Sequence, residues 1–399
     1  MSFVQKWIRE LTAPIAMLLI LVAGMVETGF SATRARDLGI PFDGTPGKLN
    51  SITDVKGVGV GHATIILGEG DLKIGKGPVR TGVTAILPTG IKQRAVFAAT
   101  GVLNGNGEMT GSHWVDEAGM LEEPILITNT HSVGTVHEAV IRWRAARGYY
   151  PEGEAWQWAS LPVVAETWDG RLNDIHGFHV KREHVFEALD AAAKGGVVAE
   201  GNVGGGTGMV VHRFKGGIGT ASRVLETGWT LGVLVQANYG LREELKVVGV
   251  PVGKEITNLM PEIHGITPKS EGNSIVVVVA TDAPVLPHQM KRIVNRIGSG
   301  LSRVGGIGRN SSGDMFIGFT TAEVSPADDN GVSEVKMLAN DQIDPLFVAT
   351  VQAVEEAIIN AMVAAQTMTG INGNKVYALP HDQLVKVLKK YKRLSSSDK

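Results

Sequence analysis

The chain has 399 residues, 43 % of them hydrophobic and 20 % charged, and 38 Lys and Arg against 40 Asp and Glu give a net charge of −2. That is the composition of a soluble globular protein with room for a large core, and it lacks the clustered positive field needed for non-specific nucleic-acid or anionic-membrane binding. The absence of cysteine excludes disulfides, zinc–thiolate sites, iron–sulfur clusters and cysteine nucleophiles together.

Residues 1–32 read as an address. Lys6 and Arg9 form a basic start, Ile15 to Val26 is an apolar run of 12 residues, and Gly29, Ser31 and Ala32 offer small side chains to a signal peptidase. Such a run is too short to span a bilayer, which takes about 20 residues. The pattern predicts a secretory signal and a periplasmic mature protein with no membrane attachment.

The mature chain alternates short apolar runs with amphipathic stretches, and no later stretch reads as a membrane span. Strands are expected at Val83–Leu87, Arg94–Thr100 and Ile125–Thr128, then a helix at Val136–Ala146. A strand at Leu161–Glu166, a helix at Glu183–Ala193 and strands at Met209–Phe214 and Leu231–Ala237 follow. Leu241 to Gly272 is polar, holds Pro251, Pro261 and Pro268, and reads as a functional loop or processed linker. Beyond it come a strand at Ile275–Ala280, a helix at Pro287–Arg303 and a strand at Met315–Phe319. Helices are expected at Pro345–Ala365, capped by Asp344 and stopped by Gly370, and at Asp382–Tyr391. Phe347, Val351, Val354, Ile358 and Ala361 form one stripe on the former. Continuous apolar strands with amphipathic helices to cover them fit helix–sheet–sheet–helix or α/β packing.

The familiar motifs fail. Gly204 to Gly208 resembles a phosphate loop without its Lys-Ser/Thr, and Gly57 to Gly61 lacks dinucleotide spacing. Asp174, His176 and His179 could ligate a metal but sit in no carboxylate–histidine helix motif, and no Gly-x-Ser-x-Gly elbow exists. No metal or organic cofactor is expected.

Chemistry is expected at Asn273–Ser274, where a serine opens a buried strand after the long loop. Its hydroxyl can attack the preceding carbonyl to give an ester, and hydrolysis leaves Ser274 as a new N-terminus. The freed α-amine, with an ordinary pKa near 8, can take the proton of its own hydroxyl. No histidine is needed.

Glu271-Gly-Asn-Ser-Ile-Val-Val-Val-Val-Ala-Thr-Asp-Ala-Pro284 resembles the self-cleavage junction of the DmpA/BapA family, the L-aminopeptidase/D-esterase and β-peptidyl aminopeptidase group. Leu161 to Asp174, Gly201 to Met209, Val233 to Gly240 and Asn310 to Ile317 resemble further blocks of that family, in its order. The resemblance covers most of residues 45–365. It implies an α+β fold, a four-layer αββα sandwich resembling N-terminal nucleophile hydrolases in a distinct topology. It also implies cleavage into a larger piece, 33–273, and a smaller one, 274–399, which stay paired and assemble as a homo-oligomer, a tetramer of such pairs.

By the same resemblance Ser274 is the nucleophile and Asn238 an oxyanion donor. Ser312 and Asp314 support the nucleophile and its amine, with Asp314 standing where some relatives carry Glu. Glu166 anchors the substrate's free amino group. Trp168 stands where some relatives carry Tyr and, having no hydroxyl, reads as a pocket wall. The expected activity is removal of N-terminal β-amino-acid residues from short peptides or amides. The rival expectations are an L-aminopeptidase/D-alanyl esterase-amidase, acyl transfer, and a non-catalytic periplasmic binding protein with an inert junction.

Overall fold

The computed structural model describes residues 32–149, 160–264 and 273–394. The signal segment expected at 1–32 lies, but for Ala32, outside the described residues. In chain order the strands are β1 (Gly59–Leu67), β2 (Val79–Leu87), β3 (Val96–Gly105), β4 (Met120–Leu121), β5 (Ile125–Asn129) and β6 (Val163–Thr167). They continue with β7 (Val210–Val211), β8 (Phe214–Lys215), β9 (Gly217–Val224), β10 (Thr230–Asn238), β11 (Asn273–Thr281), β12 (Ser312–Thr320), β13 (Met368–Thr369) and β14 (Lys375–Val376). The α-helices are α1 (Ser112–Ala118), α2 (Val133–Ala146), α3 (Arg182–Lys194), α4 (Val252–Glu255), α5 (Pro287–Val294), α6 (Ile297–Val304), α7 (Asp344–Val363) and α8 (His381–Lys390).

Two sheets stack, one four-stranded in the order β1-β2-β5-β6, the other six-stranded in the order β4-β3-β12-β11-β10-β9. The side-chain period of two shows how β11 is held. Ile275, Val277 and Val279 join the cluster formed with α5, α6 and α7, while Val276, Val278 and Ala280 join Ile86, Ile127 and Val163 between the sheets. Each buried valine contributes about 1.5 kcal/mol or more, so the strand that begins at the junction is anchored from both sides. On the far side Leu126 and Val164 face α2 and α3. The layers are therefore helix, sheet, sheet, helix, the αββα sandwich that the resemblance implies.

β1 and β9 were not expected as strands, and the reason is physical. They are rich in glycine and small residues because helices lie directly on them. A Cβ on Gly61 would stand 2.2 Å from the Ala188 carbonyl oxygen of α3, and one on Gly219 would stand 1.9 Å from the Ala357 carbonyl oxygen of α7. No side chain fits at these glycines, so the continuous apolar run of a buried strand is interrupted.

Other expectations need correction. Met209–Phe214 is not one strand: His212 (φ 46°) and Arg213 (φ 61°) take left-handed backbone and turn it into the β7–β8 hairpin. Pro287–Arg303 breaks into α5 and α6 at Asn295 and Arg296. Asp344 is the first residue of α7 rather than its cap, and α7 ends at Val363, before Gly370. Gly370 instead meets Leu172, whose carbonyl oxygen would be 2.1 Å from a Cβ there. By length and a mean hydropathy of 1.5, Asn340–Val363 does qualify as a membrane span; it is the main core helix, with 78 % of its most apolar window buried. Leu241–Gly272 is in part built structure: Arg242 donates to the carbonyls of His212, Arg213, Ile256, Asn258 and Leu259, while 265–272 lie outside the described residues.

Candidate active site

Ser274 stands at the second position of β11, 5 % exposed. Parity with Val276 and Val278 turns its side chain toward the space between the sheets. The Gly313 N–H, across the parallel pairing with β12, donates to Ser274 Oγ at 3.2 Å. Asn238 ends β10 directly opposite Ser274 in the antiparallel register, and so points the same way. Its Oδ1 accepts the Val210 N–H at 2.8 Å and its Nδ2 donates to the Trp168 carbonyl at 2.9 Å. An amide nitrogen carries two hydrogens, so the bond to Trp168 leaves one for an acceptor beside Ser274.

Glu166 approaches from the other sheet, near the end of β6. Its carboxylate accepts the Thr130 hydroxyl and, at 3.1 Å, the Glu108 N–H. Gly107 separates this carboxylate from the Ser274 strand pair. A Cβ there would stand 3.1 Å from Glu166 Oε1, 3.2 Å from Gly313 Cα and 2.7 Å from Met315 Cε. Burial raises the Glu166 pKa, and the Thr130 and Glu108 bonds only partly offset it. A buried carboxylate with so few donors is suited to a cationic partner. Trp168 is half-buried, and its indole lies on Gly170, where a Cβ would be 2.6 Å from the ring.

Ser312 and Asp314 do not join this cluster directly. Ser312 Oγ donates to Asp314 Oδ1 at 2.5 Å. They flank Gly313, so parity turns them to the opposite face of β12, where Asp314 lines a small pocket with Tyr239, Leu301 and Arg309. Among the described residues neither side chain has a hydrogen bond to Ser274; the pair adjoins the Asn273–Ser274 peptide through the ladder, Asn273 lying opposite Ser312. Burial pushes the Asp314 carboxyl up to about 6, against the Ser312 bond that lowers it.

A carboxyl whose pKa is raised by folding stabilises the fold fully below its ordinary value. It loses that contribution as pH rises through about 6. In an uncleaved Ser274→Ala chain, Asp314→Asn is therefore expected to raise the thermal midpoint at pH 8 by about 3 °C. It should change little at pH 4; calorimetry at the two pH values checks this.

The Gly204–Gly208 turn is buried, and its first amides are used internally. Gly204 N–H donates to Thr64 Oγ1 at 2.8 Å and Gly205 N–H to Thr84 Oγ1 at 3.2 Å. Asp174 Oδ2 meets His179 Nε2 at 2.8 Å and accepts the Gly75 N–H at 2.7 Å, while the His176 ring centroid lies 4.9 Å from that of His131. Among the described residues no group of three His, Asp or Glu is placed to hold a metal ion.

Thr130, Gly107 and Gly313 belong to the site and were not singled out from sequence. Gly107 had a signal in the Asn-Gly-Asn-Gly run that ends β3; Thr130 had none.

The model of peptidase family S58 matches residues 50–376. The chain belongs to peptidase family S58. It is 50 % identical over 394 residues to β-peptidyl aminopeptidase BapA of Sphingosinicella microcystinivorans, covering 94 % of this chain and 98 % of that one. A β-aminopeptidase from Burkholderia sp. superposes with a TM-score of 0.79 at 48 % identity, covering 90 % of this chain and 99 % of that one. The L-aminopeptidase D-Ala-esterase/amidase of Ochrobactrum anthropi gives 0.82 at 46 % identity, covering 91 % and 99 %. That structure is a prototype for the serine aminopeptidases and a variant of the Ntn hydrolase fold. Membership of S58 makes the chain a hydrolase of the aminopeptidase kind, and the expected family, fold and enzyme class hold.

Proposed function

We propose that the exported chain cleaves itself between Asn273 and Ser274, and that the resulting N-terminal serine removes β-amino-acid residues from the N-terminus of short peptides and amides. The reading is carried by one observation: Ser274 Oγ lies at the start of the central strand, opposite Asn238, with Glu166 across Gly107. In self-cleavage Ser274 Oγ bonds to the Asn273 carbonyl carbon, the peptide C–N bond breaks, and water then hydrolyses the ester. The products are a carboxylate at Asn273 and a free amine on Ser274.

In turnover that amine accepts the Oγ proton while Oγ attacks the substrate carbonyl. Asn238 Nδ2–H donates to the oxyanion. The proton passes to the leaving amine, and water releases the acyl group from Ser274. Glu166 pairs with the substrate ammonium, and Trp168 walls the pocket. Ser312 and Asp314 lie where the amine freed at Ser274 can turn toward them. The paired pieces assemble as a homo-oligomer in the periplasm.

The β-preference rests on the 50 % identity to a β-peptidyl aminopeptidase. The second reading, cleavage of L-α or D-alanyl substrates, is favoured by the equally good superposition of the Ochrobactrum enzyme. Hydrolysis rates of β-alanyl and L-alanyl p-nitroanilides separate the two: faster L-alanyl turnover would replace the first reading by the second. Glu166→Gln keeps the shape and removes the charge. It is expected to lower kcat/KM for a free-amine substrate about a hundredfold, since a hydrogen bond to a charged group is worth about 1.5–3 kcal/mol. It should leave an N-acetylated substrate as poor as before; steady-state kinetics on both checks it.

A further inference from the structure

Lys215 is wholly buried at the end of β8, and among the described residues its ammonium meets no carboxylate. It donates to three carbonyls instead, Met209 at 2.7 Å, Gly216 at 2.8 Å and Gly206 at 3.4 Å. A buried charge held only by peptide dipoles is costly, and the machinery described above gives it no task.

The Met209 carbonyl belongs to the same peptide group as the Val210 N–H, and that N–H donates to Asn238 Oδ1 at 2.8 Å. The order is therefore ammonium, peptide 209–210, the Asn238 side-chain amide. Each amide is polarised in one sense: a positive charge at its oxygen draws electron density from its nitrogen and makes its N–H a stronger donor. Hydrogen bonds in such chains strengthen one another, the more so at low dielectric. Asn238 Nδ2 is the last donor of the series and stands opposite Ser274.

We propose that Lys215 is a positioning and polarising residue for the oxyanion donor: its charge, passed through the 209–210 peptide, orients Asn238 and strengthens its hydrogen bond to the tetrahedral intermediate. The inference rests on the reading of Ser274 as nucleophile and Asn238 as oxyanion donor. Burial lowers the Lys215 pKa to about 7, and an oxyanion forming at Ser274 would favour the protonated ammonium. Lys215 also holds the Gly206–Met209 segment, which a purely structural lysine would do equally well. The distinction lies in whether its effect passes through Asn238.

The test uses self-cleaved enzyme, its processing verified by intact mass, and β-alanyl p-nitroanilide as substrate. Lys215→Gln can keep a hydrogen bond to Met209 without the charge, and Lys215→Met keeps only the packing. Both are expected to lower kcat about tenfold with KM nearly unchanged, a fraction of what loss of a whole oxyanion donor costs. In an Asn238→Ala background the same changes should cost about twofold or less, because the relay has lost its last member. An unchanged kcat in Lys215→Gln, or a tenfold loss that persists without Asn238, would overturn the proposal. So would failure of both neutral variants to fold, which would assign the ammonium to stability. Wild-type protein that neither cleaves itself nor turns over substrate would instead strike at the underlying reading.

Discussion

Ser274→Ala is expected to lower kcat by about six powers of ten, as removal of a serine nucleophile does elsewhere. Ser274 is 5 % exposed, held by the Gly313 N–H, and opens a strand whose next residues are buried in two cores. Alanine removes one oxygen, the acceptor of the Gly313 N–H, and leaves the strand buried from both sides, so the variant should still fold in one cooperative transition. It should also remain a single uncleaved chain, because the same hydroxyl serves self-cleavage and turnover. Rates with β-alanyl p-nitroanilide, beside a urea unfolding curve, check the two halves. Full activity in a folded alanine variant would remove Ser274 from the mechanism.

Asn238→Ala carries the second-largest effect. Loss of one oxyanion donor costs about 10² to 10³ in kcat, and KM should move little, since the bond strengthens only as the carbonyl oxygen gains charge. The substitution also strands the Val210 N–H and the Trp168 carbonyl that Asn238 now satisfies, a destabilisation of about 1–3 kcal/mol. Kinetics below the unfolding range separate the two effects. Asn238→Asp tests the sign of the charge: a carboxylate beside a developing oxyanion should be at least as damaging as alanine. A fall in kcat/KM carried wholly by KM would assign Asn238 to substrate binding instead.

The centre of the fold was legible because β10, β11 and β12 are buried on both faces and are accordingly written as apolar runs. The edges were not. β1 and β9 carry glycine where helices α3 and α7 lie against the backbone, and a strand whose apolar run is broken by glycines resembles a loop. The β7–β8 hairpin was hidden for another reason. His212 and Arg213 take left-handed conformations that favour glycine or asparagine, so no turn residue announced the reversal.

The site divides in the same way. Ser274, Asn238 and Glu166 lie at or near strand ends and could be read from the chain with the help of the family's motif blocks. Gly107 and Thr130 are placed by what they touch across the fold, which no spacing along the chain encodes. Ser312 and Asp314 were legible as a pair, yet their face of β12 depends on the parallel register with β11.

The central claim is that the Asn273–Ser274 bond is broken by the chain itself. The most direct measurement is the intact mass of purified wild-type protein, with N-terminal sequencing of each species. The account predicts two species, one ending at Asn273 and one beginning at Ser274. A single species spanning the junction in folded, active wild-type protein would contradict it.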